Sequence, residues 1–593
     1  MTSPRHSAGA SPAGPTPAPP AARPGVVRRF GPVAVLAVAI LLVAVLATVK
    51  GRSDDEGTRS ASPEEVGLGG EGGEDPTDNP DLPITLDEAT ASGEAGDIEW
   101  GDTCDLVTGR VRLPSIYAPP CVPVFEGDNG GETTPGVTAD TIKVVAYQPA
   151  PGGDITAALT GLLDPEDVQQ ETRAAFVEML SGVFETYGRT VELEVLVGSG
   201  GADDDAAAVA DAIKVAEEIK PFAVIGGPPL TTAFADQLAE RGILCIGCGL
   251  GVPDSRYQAN APYMWGTQPT PEQFLVNFGD YLVKRLFRRP AEFAGEALRD
   301  RERVFGVVNF EQDPPVFGDV AREILARGQQ RGYEPAVRET YILDIPRLPE
   351  RAAAIVAKLK AAGVTTVVFL GDPLMPIYLT QAATAEDYYP EWVIAGTVLT
   401  DTTALGRLYD GTQWTHAFGV SNQAGRKPIE QQEQWRLHEW WFGREPEAKL
   451  TSAVIWGNVQ LLMLGIHMAG PNLTPETFQG GLFSYPPSGG GPTTPQISFG
   501  NHGLFEAPDY ITVDDVAEIW WDAEAIGPDE QNRTEEPGMW RYANGGIRIP
   551  PGRMPSGPPP ARDPATAPTL FETIPPQDQF PEYPPPPNSP AAG

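Results

Sequence analysis

The sequence predicts an α/β protein with two Rossmann-like lobes, each built on a parallel sheet. Strand and helix patterns alternate from Gly136 to Gly251, and glycine-rich turns stand where the strands end. The same alternation begins again near Val304 and continues to Ala395. The strand segments are continuous apolar runs, which is typical of parallel strands covered by helices on both faces.

The elements of the first lobe follow each other in order. Ile142 to Ala146 is an apolar, β-branched run that predicts the first strand. From Val168 to Tyr187 apolar side chains recur at helical spacing, and Gly188 follows as a stop signal. Further strands are predicted at 191–195, 222–225 and 243–246, and further helices from Asp203, after Thr232 and at the capping box Thr270-Pro271-Glu272-Gln273.

The second lobe repeats this order, and the chain then returns to the first lobe. Two long helices, about 428–442 and 450–469, and a short one beginning at Thr474 are expected there. We expect lobe 1 to comprise 136–272 plus about 415–505, and lobe 2 to comprise 273–414 plus about 506–535. In lobe 2 the patterns predict strands at 304–308, near 340, 364–370, 392–395, 509–513 and 517–521, and helices at about 317–331, 349–361 and 374–385.

Three flanking segments have compositions that disfavour a packed core. Residues 1–30 are rich in Pro, Ala, Gly and Ser, and we expect a disordered cytoplasmic segment. Residues 50–135 are predicted to be a flexible acidic and Pro-rich spacer that carries a cysteine pair. Residues 536–593 are expected to be a Pro-rich disordered tail, since 551–593 alone holds 15 prolines in 43 residues.

An uncharged apolar run occupies residues 31–49. At about 1.5 Å per residue it spans roughly 28 Å as a helix, close to the thickness of a bilayer core. The alternative is a cleaved signal peptide, but about 30 residues precede the run, and both the lead and the run are long for one. We therefore predict a retained single-pass anchor, with the N-terminus inside and the globular part outside the cell membrane.

The chain has a formal net charge of −38. This balance argues against a nucleic-acid partner, because phosphate contacts require clustered lysine and arginine. It is typical of a soluble surface.

Four cysteines form two candidate disulfides. Cys104 and Cys121 lie in a Pro-rich segment, where a bridge would be their most useful role outside the cell. Cys245 and Cys248 form a C-x-x-C pair that closes a strand, whereas redox pairs usually open a helix. We therefore expect either a local disulfide or two buried thiols here. A metal site would need two further ligands. Four cysteines allow three pairings, and the sequence does not choose among them.

The ordered set of segments resembles the type I periplasmic binding protein fold, in particular the branched-chain amino-acid (Leu/Ile/Val) binding protein family of ABC importers. The match covers about 136–525. The segments that carry it are Gly136-Val137-Thr138, Asp140-Thr141-Ile142-Lys143-Val144, Phe222-Ala223-Val224-Ile225-Gly226-Gly227, Ala261-Pro262-Tyr263-Met264-Trp265, Tyr333, Val454 to Gly470 and Leu473-Thr474-Pro475-Glu476.

The resemblance implies two lobes joined by a three-crossing hinge, with a small molecule bound in the cleft between them. Residues that occupy the family's ligand positions are Thr231, Thr232, Gly249, Leu250, Phe317, Asp372 and Thr397. Several of them have structural alternatives. Thr231 or Thr232 is a suitable helix cap, Phe317 is suited to a helix core, and Asp372 precedes Pro373 as a cap would.

One departure from the family pattern concerns the ligand. Amino-acid binders of this family place an acidic residue in the late lobe 2 turn, where it pairs with the ligand ammonium. Here that turn reads Gly396-Thr397-Val398-Leu399, and the nearest carboxylate is Asp401. Asp372 is a possible substitute.

The resulting hypothesis is a membrane-anchored extracytoplasmic solute-binding protein for ABC-type import, with a permease as partner. It requires no cofactor and no catalytic residues, since His416, His438 and His467 are isolated in the sequence. A cell-surface ligand sensor or binding receptor without transport is the alternative. A C-x-x-C oxidoreductase is a third class.

Overall fold

The computed structural model describes residues 77, 79–148, 150, 164–201, 204–228, 231–249, 251–311, 316–342, 344–396 and 399–592. The predicted cytoplasmic segment 1–30 and the predicted span 31–49 lie outside the described residues. Within the described part, one helix, Ser452–Ala469, has the length and composition to cross a membrane. That helix is 72% buried and contributes to the lobe 1 core, which is typical of a core helix in a globular domain.

The described part of the N-terminal segment is folded against lobe 1. It contains helix α1 (Leu86–Ser92), two short antiparallel strands and a disulfide between Cys104 and Cys121. Val111 and Leu113 are buried in the lobe 1 core. The expectation of a flexible spacer is therefore wrong for residues 79–135, because these apolar side chains pack against the lobe.

Lobe 1 holds a five-stranded parallel sheet with helices alternating along the chain. The strand order is β2-β1-β3-β4-β5. Its elements are β1 (Thr141–Gln148), α2 (Glu166–Ser181), β2 (Thr190–Val197), α3 (Asp205–Lys214), β3 (Ala223–Ile225), α4 (Ala233–Ala239), β4 (Leu244–Ile246), α5 (Asp254–Ala259) and β5 (Met264–Trp265).

Lobe 2 repeats the order with five parallel strands, β7-β6-β8-β9-β10. Its elements are α6 (Pro271–Phe274), which opens a helix continued by π-turns to Leu286, β6 (Phe305–Phe310), α7 (Val316–Gln330), β7 (Val337–Tyr341), α8 (Leu348–Ala361), β8 (Thr366–Leu370), α9 (Met375–Ala385), β9 (Glu391–Ile394), α10 (Thr403–Gly406), α11 (Gly411–Trp414) and β10 (Ala417–Ser421).

The chain then returns to lobe 1 with three helices: α12 (Glu433–Phe442), α13 (Ser452–Ala469) and α14 (Pro475–Ser484). Their apolar faces complete the lobe 1 core. The sheet of lobe 2 is extended by the antiparallel strands β11 (Val516–Ile526) and β12 (Pro537–Tyr542), and the short strand β13 (Arg548–Ile549) pairs with β11.

The chain passes between the lobes three times, at 266–270, 422–432 and 512–515. Two of these positions differ from the sequence expectation. β10 pairs with β9, so the return to lobe 1 begins after Ser421 and not near 415. Tyr510 and Ile511 belong to the lobe 1 core, so the last passage begins after them and not near 506.

The C-terminal region does not match the expected disordered tail. β12 and β13 belong to the lobe 2 sheet, and residues 550–592 lie along both lobes. Met554 and Ala567 are part of the lobe 2 core, and Asp578 is 1% exposed. Prolines exclude ladder pairing, as expected, but they do not prevent an extended segment from being held by side-chain and carbonyl contacts.

Candidate functional site

The carboxyl edges of both sheets lie at the passages between the lobes, and we call the space between these edges the crevice. The first passage begins where β5 ends, and the second begins where β10 ends. β11 is antiparallel to β10, with Ala517 opposite Ser421, so the third passage also reaches the carboxyl edge of the lobe 2 sheet. Open parallel sheets bind ligands beyond the carboxyl ends of their strands. The crevice at the three passages is therefore the candidate site.

In lobe 1, the turn after β3 brings its backbone close to the turn after β4. Gly226 has a φ of +77° and its N–H donates to Ile246 O at 2.8 Å. A Cβ on Gly227 would lie 3.1 to 3.4 Å from Phe234 and Cys248. Glycine at position 226 thus permits the positive φ, and glycine at position 227 permits the close approach of the two turns.

Thr231 and Thr232 occupy different environments in this turn. Thr231 is buried, its hydroxyl donates to the Asp205 carboxylate at the start of α3, and it accepts from Ala233 N at 3.0 Å. Thr231 therefore holds the start of α4 against α3. Thr232 is half-buried at the N-cap position of α4, and its side chain makes no capping hydrogen bond.

The turn after β4 is closed by the disulfide between Cys245 and Cys248. Cys248 Sγ lies 3.1 Å from Gly226 O, which joins this turn to the one after β3. Gly247 has a φ of +68°, and a Cβ there would lie 2.5 Å from Asn458 Oδ1 on α13. Gly249 follows, half-buried, at the carboxyl edge of the sheet.

A polar cluster that the sequence reasoning missed surrounds the carboxyl end of β1. Gln148 donates to the carboxylate of Glu166 at the start of α2. Asp211 accepts from Tyr147 Oη at 3.0 Å and from Ser199 N at 2.8 Å. Burial raises the pKa of Glu166. Polar residues at the last positions of an apolar strand, such as Gln148, were the available signal.

In lobe 2, Phe317 packs inward. It is 7% exposed, belongs to the lobe 2 core, and its ring centroid lies 6.2 Å from that of Phe310. Phe317 is thus a core aromatic of its helix, which is the structural alternative given for it from the sequence.

Asp372 lies in the turn after β8 and is 1% exposed. It accepts hydrogen bonds from Tyr341 Oη, from Leu374 N at 2.8 Å and from Met375 N at 3.1 Å. Burial raises the pKa of this carboxyl. The side chain caps the start of α9 and fixes the turn.

Asp401 is a lobe 2 carboxyl group with unused bonding capacity in the described structure, as is Glu518 on β11. Its Oδ2 accepts from Ser421 Oγ at the end of β10, while Oδ1 is buried with no hydrogen-bond partner. Burial raises the pKa of Asp401 to about 7. Tyr409 Oη is also buried without a partner, and the charges of Asp372 and Asp401 add to the effect of burial in raising its pKa.

Leu250 and Thr397 lie outside the described residues. Of the other five positions, the structure places Thr231, Thr232 and Gly249 together at the carboxyl edge of lobe 1. Asp372 stands at the corresponding edge of lobe 2, and Phe317 is the second residue of α7, the helix that follows β6. Among the described residues, no group of three or more His, Cys, Asp or Glu side chains is arranged to hold a metal ion.

The three histidines that the sequence left isolated lie in structural positions. His467 Nδ1 accepts from Glu185 N at 2.9 Å, and its Nε2 donates to Pro120 O at 2.9 Å. Burial lowers the pKa of His467 to about 4, so the neutral imidazole joins the N-terminal segment to lobe 1. His438 Nδ1 donates to Arg444 O, and His416 Nδ1 donates to Phe293 O.

Comparison with known proteins gives structural matches only. No family model matches the sequence, and no curated protein does. Three similar solved structures come from bacteria. The branched-chain amino-acid transporter substrate-binding protein of Streptococcus pneumoniae, in complex with isoleucine, is 15% identical over 64% of this chain and 96% of its own, with a TM-score of 0.43.

The second is an ABC transporter solute-binding protein of R. palustris in complex with 4-hydroxybenzoate. It is 14% identical over 67% of this chain and 96% of its own, with a TM-score of 0.46. The third is a type 1 periplasmic binding protein of Bordetella pertussis, 14% identical over 67% of this chain and all of its own, with a TM-score of 0.42.

The topology of the chain identifies its fold. Both sheets have their parallel strands in the order 2-1-3-4-5, and three passages join the lobes at the carboxyl edges. The two parallel sheets and the three passages agree with what the resemblance implied. The chain thus has the type I periplasmic binding protein fold, with two additions, the folded N-terminal segment and the C-terminal region that lies along both lobes.

Proposed function

We propose that this protein is an extracytoplasmic solute-binding protein that holds a small organic molecule in the crevice between its lobes. The observation that supports the proposal is the position of the three passages, which lie at the carboxyl edges of the two parallel sheets. Such edges offer strand ends and helix starts to a ligand. Closure of the lobes would be stabilised when the ligand contacts both of them.

The proposed ligand contacts divide into two groups. Thr232, Gly249, Leu250 and Thr397 are proposed to face the ligand directly. Thr231, Asp372 and Phe317 are proposed to act by holding their turns in place, because their side chains bond or pack within one lobe.

Asp401 is the proposed partner for a cationic group on the ligand. Its Oδ1 has no hydrogen-bond partner among the described residues, and its Oδ2 accepts from Ser421 Oγ at the end of β10, the carboxyl edge of the lobe 2 sheet. An ammonium group would supply the missing donor and favour the ionised carboxylate. Ligands without a cation would leave Asp401 only partly ionised near neutral pH.

We further propose that residues 31–49 anchor the protein in the cell membrane and that it delivers its ligand to an ABC permease. No enzymatic activity is proposed. Neighbouring genes for permease and ATPase subunits would favour import, whereas neighbouring signalling genes would favour a receptor without transport.

A thermal-shift screen of the full-length chain against amino acids, amides, aromatic acids and fatty acids tests the proposal. Isoleucine and 4-hydroxybenzoate are practical members of the panel. A ligand that binds only the folded state raises the melting temperature by mass action, by an amount equivalent to about 2.7 kcal/mol at 100 times its Kd.

Two variants locate the binding site. Thr232→Trp should fill the crevice and abolish the shift. Glu240→Trp, at the other end of α4, should retain it, since Glu240 is exposed and lies at the opposite edge of the sheet. If no compound stabilises the protein, or if Thr232→Trp binds as tightly as the parent, binding in this crevice is wrong.

A further inference from the structure

The C-terminal region, residues 550–592, makes a continuous set of contacts from one lobe to the other. We call this region the strap. The strap begins after β13 in the lobe 2 sheet and ends beside α2 and α12 of lobe 1. It therefore forms a fourth connection between the lobes, in addition to the three passages of the fold.

The first part of the strap is fixed to lobe 2. Arg562 donates to Thr415 O and to Ala417 O, the latter at 3.2 Å. Its guanidinium lies 4.2 Å from the ring centroid of Phe293 and 5.3 Å from that of Phe418. The backbone is bonded as well, because Tyr542 N donates to Pro568 O at 2.9 Å and Gly545 N to Thr566 O at 2.7 Å.

The middle of the strap touches the second passage between the lobes. Phe571 N donates to Arg426 O at 2.7 Å, and Gln431 Nε2 donates to Glu572 O at 3.2 Å. A Cβ on Gly425 would lie 2.7 Å from the Phe571 ring. This part of the strap thus runs along the second passage.

The last part of the strap is fixed to lobe 1. Asp578 is 1% exposed and accepts from Thr493 N and Thr493 Oγ1 at 2.7 Å and from Thr494 Oγ1 at 2.5 Å. The Phe580 ring centroid lies 4.1 Å from the Arg436 guanidinium on α12. Tyr583 O accepts from Trp440 Nε1, and its Oη donates to Asp105 of the N-terminal segment, both at 2.8 Å.

Only a short segment joins the strap's contacts at the second passage to its contacts with lobe 1. Asp578 lies seven positions after Phe571, which gives a reach of about 24 Å even when the chain is fully extended. Pro575 and Pro576 lie in this interval and favour a stiff, extended backbone. A short, stiff connection with both ends fixed restricts how far the lobes can separate.

We propose that the strap limits the opening of the hinge, so that the lobes separate less than the three passages alone would allow. This inference is independent of the identity of any ligand. It concerns the resting distribution of distances between the lobes, and the test needs no bound solute.

Distances between spin labels on the two lobes of the full-length chain test the proposal. Glu240→Cys in lobe 1 and Glu296→Cys in lobe 2 provide sites whose side chains are 65% and 91% exposed. The four native cysteines are paired in disulfides, so only the new thiols react with the label.

The decisive variant carries ten Gly/Ser residues inserted between Thr573 and Ile574, which lengthens the strap but keeps its anchors. We expect the distribution to broaden and its mean to lengthen by more than about 2 Å, the scale of genuine hinge rearrangement. The same insertion between His502 and Gly503, in an exposed loop of lobe 1, should leave the distribution as in the parent.

Asp578→Asn serves as a second variant that leaves the chain length unchanged. It weakens the main anchor on lobe 1 and should shift the distribution in the same direction by a smaller amount. If both variants show the parent distribution, or if the control insertion produces the same broadening, the proposal is overturned.

Discussion

Asp372 illustrates how one side chain can suit both a ligand and a helix start. In the sequence, Asp372 occupies a position where the family binds its ligand. It also directly precedes Pro373, as a helix-capping residue often does. Its bonds to Tyr341 Oη and to the N–H groups of Leu374 and Met375, where α9 begins, occupy the carboxylate within lobe 2. The residue type and position were readable from the sequence, but the bonding partner Tyr341, 31 residues away, was not.

Replacing Asp372 with alanine should mainly reduce stability. The change removes a buried cap and leaves the Tyr341 hydroxyl and two N–H groups without their acceptor, which costs about 1–3 kcal/mol. Urea denaturation monitored by tryptophan fluorescence measures the loss.

The matched control is Asp204→Ala, an exposed N-cap that accepts from Ala207 N at 3.0 Å. It should cost only about 0.5–1 kcal/mol, because the freed N–H is exposed to water. Equal losses in the two variants would contradict the role given to burial at Asp372.

A second residue-scale feature is a pair of buried carboxyls at the third passage. Asp509 Oδ1 accepts from Gln273 Nε2 and Ile511 N, and Asp514 Oδ2 accepts from Ser498 Oγ and Gln496 Nε2. The remaining oxygens, Asp509 Oδ2 and Asp514 Oδ1, are buried and accept from no other donor in the described structure. Burial raises the pKa of Asp514 to about 7, and burial together with the Asp514 charge holds the pKa of Asp509 well above its usual range.

This pair should make the protein less stable as pH rises from about 4 to about 7. The usual pKa of 3.8 describes the unfolded chain, so between that value and about 7 the folded state binds more protons than the unfolded state. Asp514→Asn removes one titrating group and should flatten the fall in the urea midpoint over this range.

Nearby charged and titratable groups, namely the Asp515–Arg548 ion pair and Tyr257, stay unchanged in that variant. Asp97→Asn, at an exposed site, alters net charge by the same amount and should keep the parent profile. If Asp514→Asn and Asp97→Asn show the same change in the urea midpoint from pH 4 to 7, the raised pKa assigned to this pair is refuted.

At the scale of elements, the repeated strand–helix units were predictable because their signals are local. Apolar runs such as Val367–Leu370 and glycine stops after helices depend on neighbours within about ten residues. The passages between lobes were displaced by several residues, since pairing of β10 with β9 and burial of Ile511 depend on distant contacts. The N-terminal segment was misjudged for the same reason.

That N-terminal segment should lose order locally when its disulfide is removed. Cys104 and Cys121 are separated by 17 positions, and closing such a loop contributes about 3 kcal/mol in the chain-entropy model. In Cys104→Ser plus Cys121→Ser, we expect faster hydrogen exchange in α1 and in residues 104–121.

Lobe 2 serves as the internal control in this experiment, because the disulfide cluster of Leu86, Cys104 and Cys121 contacts none of its core residues in the described chain. Exchange in β6 and β8 should stay as in the parent. Faster exchange throughout both lobes would instead indicate that the segment is required for the whole fold.

At the scale of the whole molecule, composition alone was a poor guide to order. Fifteen prolines suggested a disordered tail, because proline prevents regular ladders. The strap is nevertheless held by contacts across very long sequence separations, such as Tyr583 with Asp105, 478 residues away. Those contacts use carbonyl oxygens, aromatic faces and a buried carboxylate, none of which leaves a periodic pattern in the sequence.

The strap should stabilise each lobe through a different set of anchors, and two variants separate them. Truncation after Glu572 removes the Asp578, Phe580 and Tyr583 contacts and should speed hydrogen exchange in α12 and in residues 486–498 of lobe 1. Arg562→Ala retains those contacts but removes the cation beside Phe293 and Phe418, so it should speed exchange in β10 of lobe 2 instead.

Hydrogen exchange followed by mass spectrometry resolves the two patterns on the same peptides. The two variants differ in this way only if the strap is fixed to both lobes, and identical exchange maps would show that one set of anchors does not form.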